Sequence, residues 1–299
     1  MRNQKVPTNF PYPAHYVDVY GSRMHYIEQG HGDPILFLHG IPTSSYLWRN
    51  IIPHLSTLGR CIAVDLIGMG KSDKPDIEYT IFDHIKYVEK FIEVMNLKRV
   101  TLVMHDWGSI MGFNYAMKNE KNCKGLIFYE AYLRPVTKED MSLPYQEQLF
   151  NLQEQENKKI MDGQHFVDTV LPQGMARTLS PEEMQQYREP FLAKGADKPL
   201  HQYLRELPRG DGQSKVDKLI AENSEKLTQS YLPKLMLYSL PGFITTMETA
   251  MWAKKNLPRL EIADIGESMH YAQETDPFVM GETISIWMQG IEQLMQAEK

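Results

Sequence analysis

Cysteine is almost absent: Cys61 and Cys123 are the only two, and neither stands in a Cys-X-X-Cys or Cys/His spacing. That excludes a disulfide scaffold as the driver of folding and removes zinc and redox-pair readings. No run of about 18 apolar residues occurs, and Met1 to Pro13 is polar and proline-containing rather than a basic start leading into an apolar stretch. A soluble, cytoplasmic protein with no membrane partner is expected. The chain also lacks any block of five or more Lys/Arg, and its 38 acidic side chains outnumber 32 basic ones for a net charge of -6, so nucleic acid is not an expected partner. What is plentiful is ordinary: 42% hydrophobic and 23% charged residues over 299 positions exclude collagen-like, low-complexity and wholly disordered readings. The length suits one large domain or one and a half.

Strand formers around Gly21-Ser22, from Val17 to Gln29, predict a hairpin. Pro34 to His39 is a continuous apolar run, too short for a helix and ended by Gly40, as expected of a strand buried on both faces. Arg60 to Leu66 and Arg99 to His105 repeat it, and Lys124 to Tyr129, Lys234 to Ser239 and Arg259 to Ile265 are further candidates. Helical spacing fills the intervals Ser45 to Leu58, Ile81 to Met95 and Ser109 to Asn119, and a final amphipathic helix runs from about Asp276 to Met295. Strands alternating with helices predict an α/β fold, a mostly parallel sheet covered on both faces. From Arg134 to Tyr231 the rhythm breaks into Gln- and Glu-rich helical segments with several prolines. The expected organisation is a core of residues 1–133 and 232–299 with a helical cap, 134–231, inserted between two sheet strands and returning to the core.

Ligands of such sheets bind beyond the carboxyl ends of the strands. There the strand Thr101–Met104 gives way to His105-Asp106-Trp107-Gly108-Ser109 and then at once to a helix, the setting of a nucleophile elbow. The place that serine holds in most hydrolases is occupied by Asp106, while Met104 stands where a small residue is usual. A carboxylate nucleophile suits displacement at saturated carbon, because water can afterwards open the ester at its carboxyl carbon and regenerate the aspartate. Alone, Asp106 would read as the cap of the following helix. Glu130 after the next strand and His270 after the last complete the chain order nucleophile, acid, base, in which the acid orients the imidazole and the imidazole activates water. His39-Gly40-Ile41-Pro42 follows another buried strand, so the backbone N–H groups of Ile41 and Trp107 are the natural oxyanion donors. Asp65 to Ser72 reads as a scaffold turn and contains no complete phosphate-cradling loop.

The chain resembles the haloalkane dehalogenases of the α/β-hydrolase fold, in the branch whose catalytic acid follows the sixth strand and which also contains coelenterazine luciferases. The resemblance spans nearly the whole chain. It rests on His39-Gly40-X-Pro42-Thr43-Ser44-Ser45-Tyr46-Leu47-Trp48-Arg49-Asn50, Asp65-Leu66-Ile67-Gly68-Met69-Gly70-Lys71-Ser72, His105-Asp106-Trp107-Gly108-Ser109 and Tyr187-Arg188-Glu189-Pro190-Phe191. It implies hydrolytic dehalogenation without metal or organic cofactor. Asp106 would attack the halogen-bearing carbon, and His270, paired with Glu130, would activate water against the alkyl ester. Trp107 would give its indole N–H, a donor with no acceptor, to the departing halide. A small apolar halogenated substrate, a halide ion and water are the implied partners of a monomer or homodimer. Phe166, Leu204, Phe243 and Ile244 are the implied pocket residues.

The family usually places a polar residue, often asparagine, at position 41 as a second halide-stabilising side chain, and this chain has Ile41. Another branch uses a tryptophan of the insertion, but Trp48, Trp107, Trp252 and Trp287 all lie outside it. One hydrogen bond to a charged group is worth roughly 1.5–3 kcal/mol, or about ten- to a hundredfold in the rate of halide departure. Leu204 also stands where the family tends to place proline. Three other readings remain open at this level. An epoxide hydrolase would need acidic tyrosines from the insertion, for which Tyr145, Tyr187 and Tyr203 qualify by position. A luciferase-like oxygenase would keep most of the same residues. A non-catalytic ligand-binding member would be marked by loss of nucleophile or base, and neither is lost.

Overall fold

The computed structural model describes residues 6–135, 137, 143, 146–147, 162–208 and 212–297. Within them runs an eight-stranded sheet of order β1-β2-β4-β3-β5-β6-β7-β8. The strands are β1 (His15–Val19), β2 (Ser22–Gln29), β3 (Pro34–Leu38), β4 (Arg60–Val64), β5 (Val100–Asp106), β6 (Cys123–Ala131), β7 (Lys234–Pro241) and β8 (Leu260–Ser268). Only the β1/β2 and β2/β4 pairings are antiparallel. β3 and β5, at the centre, are buried at every residue, the signature of strands covered on both faces. In the hairpin the turn lies one residue earlier than the glycine suggested. Tyr20 and Gly21 take φ of 55° and 77°, as a two-residue loop matching strand twist requires, and Ser22 pairs with Val19 in the ladder.

The helices are α1 (Ile52–Leu55), α2 (Ile81–Val94), α3 (Trp107–Lys118), α4 (Gly163–Gln173), α5 (Pro181–Arg188), α6 (Lys198–Glu206), α7 (Lys215–Gln229), α8 (Met247–Asn256), α9 (Ala272–Thr275) and α10 (Pro277–Ala297). Reciprocal capping boxes start α2 (Thr80/Asp83), α5 (Ser180/Glu183) and α7 (Ser214/Asp217), each satisfying donors that the first turn leaves open. The helix expected over Ser45–Leu58 is instead a 3-10 turn, Ser45–Trp48, followed by the four-residue α1. Pro53 has no N–H to continue a ladder to the Arg49 carbonyl, which instead accepts the Tyr12 hydroxyl at 2.7 Å.

α3 packs against β5, α2 and α7, while α10 packs against α1 and the β7–β8 pair. Between β6 and β7 the chain leaves the sheet for α4, α5 and α6 before α7 returns along α3. A buried ionic cluster ties this insertion to the core. Arg49 donates to Glu274 at 2.5 and 2.8 Å and to Glu183 at 3.0 Å. Arg177 donates to Glu183 at 2.6 and 2.9 Å and to Glu274 at 2.8 Å. Two guanidinium groups thus balance two carboxylates, as burial of charge demands. No helix among the described residues is long and apolar enough to cross a membrane.

Candidate active site

Asp106 is the last residue of β5 and immediately precedes α3. Its backbone, at φ 51° and ψ −127°, is strained, and its side chain makes no capping bond to the helix, so the plain helix-cap reading does not describe it. Such conformations cost about 1–3 kcal/mol and persist only where packing enforces them. Two glycines make the turn possible: a methyl on Gly108 would overlap the Leu38 carbonyl, and one on Gly40 would overlap the Asp106 side chain itself. The Ser109 hydroxyl braces the turn by donating to the Asp106 carbonyl at 2.5 Å while accepting the Tyr132 N–H at 3.0 Å. The bulk of Met104 is accommodated because α3 carries Gly112 opposite it.

Glu130 is aimed by a bulge. His105 pairs with Tyr129 and Asp106 with Ala131, leaving Glu130 between them with φ 46°, and an extra residue of this kind re-aims a side chain. Its carboxylate accepts the backbone N–H groups of Phe243, Ile244 and Thr245 at 3.1, 2.6 and 3.2 Å. It lies 3.0 Å from His270 Nδ1. Since an ionised carboxylate only accepts, Nδ1 carries the proton of that bond. Nε2 then faces Asp106, 3.5 Å from Oδ2. All three side chains are buried. Burial works against charge on His270, yet the nearby charge of Asp106 and the bond to Glu130 with its charge prevail and push it up to about 9. For Asp106 burial likewise opposes ionisation, and the charge of His270, 3.5 Å away, outweighs it, holding the carboxyl below its ordinary range. The surroundings thus favour carboxylate on Asp106 and imidazolium on His270.

The Ile41 N–H donates to Asp106 Oδ1 at 3.2 Å. Its loop is fixed by His39, whose Nδ1–H donates to the Gly40 carbonyl at 2.8 Å while Nε2 accepts the Leu66 N–H at 3.0 Å. The Ile41 side chain is buried and brings no polar atom. Trp107 is fully buried, and its indole Nε1 has no hydrogen-bond partner among the described residues. The ring is held edge-to-face against Tyr203 at 4.9 Å and His84 at 6.2 Å.

Of the expected pocket residues, Phe243 has its ring 5.7 Å from His270, and Phe166 meets Tyr203 at 6.3 Å, one ring away from Trp107. Ile244 is placed by the bond of its N–H to Glu130, and Leu204 is buried beside Tyr203 on α6. The tyrosines suggested for epoxide opening separate. Tyr203 stands against Trp107, Tyr187 donates instead to Glu274 in the ionic cluster at 2.5 Å, and Tyr145 lies outside the described residues. A second group of residues at this site was not anticipated: His105, Tyr129 and Ser239 bond to the carbonyls of the loop that carries His270. The available signal was His105 itself, a polar residue directly before Asp106 at the end of a buried central strand.

A family model described as alpha/beta hydrolase fold matches residues 33–233. A haloalkane dehalogenase of Sphingobium indicum (strain DSM 16412 / CCM 7286 / MTCC 6364 / B90A) is 40% identical over 283 residues, covering 91% of this chain and 94% of the relative. One of Mesorhizobium japonicum is 36% identical over 278 residues, covering 91% and 90%. Among solved structures, the haloalkane dehalogenase DatA of Agrobacterium tumefaciens C58 superposes with a TM-score of 0.87 at 35% identity, over 93% of this chain and 97% of that one. DbeA of Bradyrhizobium elkani USDA94 gives 0.87 at 34% identity over 94% and 99%.

Proposed function

The chain belongs to the haloalkane dehalogenase family, and on that premise we propose that it hydrolyses small apolar haloalkanes to alcohol, halide and proton through an alkyl ester of Asp106. The observation that carries this reading is the strained placement of Asp106 3.5 Å from the imidazole of His270 and next in the chain to Trp107, whose buried indole N–H has no partner among the described residues. In the first step an Asp106 oxygen forms a bond to the halogen-bearing carbon. The carbon–halogen bond breaks, and the halide leaves with the electron pair, its growing charge met by Trp107 Nε1–H. Once the ester has neutralised Asp106, the imidazolium gives its Nε2 proton to solvent. In the second step the neutral Nε2 takes a proton from water, and the hydroxide forms a bond to the carboxyl carbon of Asp106 as the carbonyl π bond opens. The resulting oxyanion is met by the Ile41 N–H that already points at Oδ1. Collapse releases the alkoxide, which takes the proton from His270, and the carboxylic acid left on Asp106 passes its proton to Nε2, so that the resting carboxylate and imidazolium are restored with one net proton released.

Glu130 stabilises the imidazolium of the second step and keeps its Nδ1 protonated, being itself anchored by three backbone N–H groups. With Ile41 in place of a polar side chain, Trp107 is the single side-chain donor assigned to the halide. We divide the chain into a core of residues 1–133 and 232–299 and a cap of 134–231. Within the cap, α6 delivers Tyr203 against Trp107.

Halide release from brominated and iodinated alkanes tests the reading. Release by the wild-type chain that is lost in Asp106→Ala supports it, as does an alkyl-enzyme mass that accumulates in His270→Ala. Halide release persisting in Asp106→Ala would exclude the covalent route.

A further inference from the structure

The loop that carries His270 is held at three consecutive carbonyls by side chains from three different strands. The Ser239 hydroxyl of β7 donates to the Ser268 carbonyl at 3.1 Å. The Tyr129 hydroxyl of β6 donates to the Met269 carbonyl and lies 2.7 Å from that of Ser239. His105 Nε2 of β5 lies 2.8 Å from the carbonyl of His270 itself. A carbonyl only accepts, so His105 carries its proton on Nε2. Burial and the neighbouring His270 hold this ring in the neutral form. Its plane lies 4.5 Å from the His270 ring, centroid to centroid, and stacks on Tyr129 at 6.1 Å.

His105 is also the residue before Asp106. One peptide unit therefore joins the group that anchors the base to the nucleophile, and the anchor acts on the backbone of the base rather than on its ring. A shift of about 1 Å in such a constellation can cost about a hundredfold in rate.

We propose that His105 is a positioning residue for His270, its Nε2–H bond to the His270 carbonyl setting the reach of the imidazole over Asp106. The inference rests on the two-step hydrolysis proposed above, and the two steps separate it from a merely structural role. Formation of the ester needs Asp106 and Trp107 but no proton transfer by His270. Hydrolysis of the ester needs His270 in place. Loss of the anchor slows only the second step.

The experiment is rapid-quench halide release from 1-bromobutane by the wild-type chain, His105→Phe and His105→Gln, with intact-protein mass spectrometry. His105→Phe keeps a flat ring and removes the donor; His105→Gln keeps a donor. The expected result for His105→Phe is a burst of one halide per enzyme at the wild-type rate. A steady state about ten- to a hundredfold slower follows while the butyl-enzyme mass accumulates, and His105→Gln recovers most of the loss. Equal slowing of burst and steady state, or no change in either, would overturn the positioning role while leaving the wild-type reaction intact. A wild-type chain that releases no halide would overturn the proposed function, and this inference with it.

Discussion

Met104 fills the space that a side chain at Gly112 would occupy: a methyl group there would overlap its sulfur. A bulky residue two positions before the nucleophile is thus compensated across the strand–helix contact. Gly112→Ala is expected to destabilise the fold by about 1–3 kcal/mol, as overpacking does, despite the better helix propensity of alanine. Met104→Ala opens space on the other side, and the double variant should lose clearly less than the two single losses added. A urea-unfolding cycle measures the coupling, and strict additivity would sink the account.

On the proposed reading, Ile41→Asn adds a side-chain donor beside the leaving group without touching the backbone N–H at Asp106. Halide release should rise by about tenfold or more. The gain should be largest for chloride, the most charge-dense of the leaving groups. Single-turnover rates for matched chloro-, bromo- and iodoalkanes give the slope, and an unchanged dependence on the leaving group would show that position 41 does not face the halide.

The pH dependence should differ between the two steps. In the free enzyme the Asp106 carboxylate helps to keep His270 protonated up to about 9. Esterification turns that carboxylate into a neutral group, so the imidazole loses a stabilising charge and its pKa falls. A general base acts in its neutral form. Hydrolysis should therefore accelerate with rising pH and level off below pH 9. Ester formation needs only the Asp106 carboxylate, held below its ordinary range, and should stay flat from pH 6 upward. Rapid-quench rates across pH 5–10 would separate the limbs, and a hydrolysis rate that fell with pH would contradict the assignment of His270.

Glu274→Gln removes one charge from the cluster that seats the insertion on the core. Arg49 is fully buried there, and leaving a buried charge short of its partner costs about 3–5 kcal/mol. Asp73→Asn, beside the exposed Arg23, should cost less than about 1 kcal/mol. Urea unfolding of both variants at neutral pH makes the comparison, and equal effects would mean that the cluster contributes no more than a surface pair.

Much of this arrangement is readable along the chain because it is local. Apolar runs ended by glycine mark the central strands, and alternation with helical spacing implies the parallel sheet. The turn after β5 shows its nature in the glycine of Asp106-Trp107-Gly108, since only a residue without a Cβ clears the Leu38 carbonyl. Chain order alone suggests Asp106, Glu130 and His270 as partners, because each follows a strand and the carboxyl ends of parallel strands converge.

What the sequence could not decide depends on groups far apart in the chain. Ser45–Leu58 carries helical spacing, yet Pro53 breaks the ladder and Tyr12, 37 residues away, takes the Arg49 carbonyl. Tyr187 and Tyr203 look equivalent as phenols of the insertion until packing gives one to Glu274 and the other to Trp107. The bulge that frees Glu130, the glycine that makes room for Met104 and the bond from His105 to the His270 carbonyl exist only once strands are in register. The sequence by itself determined which residues are the candidates for the chemistry, because side-chain type and position near a strand end are properties of the chain. Only the tertiary structure decided their distances and protonation states, because those follow from burial and from neighbours that long-range packing brings together.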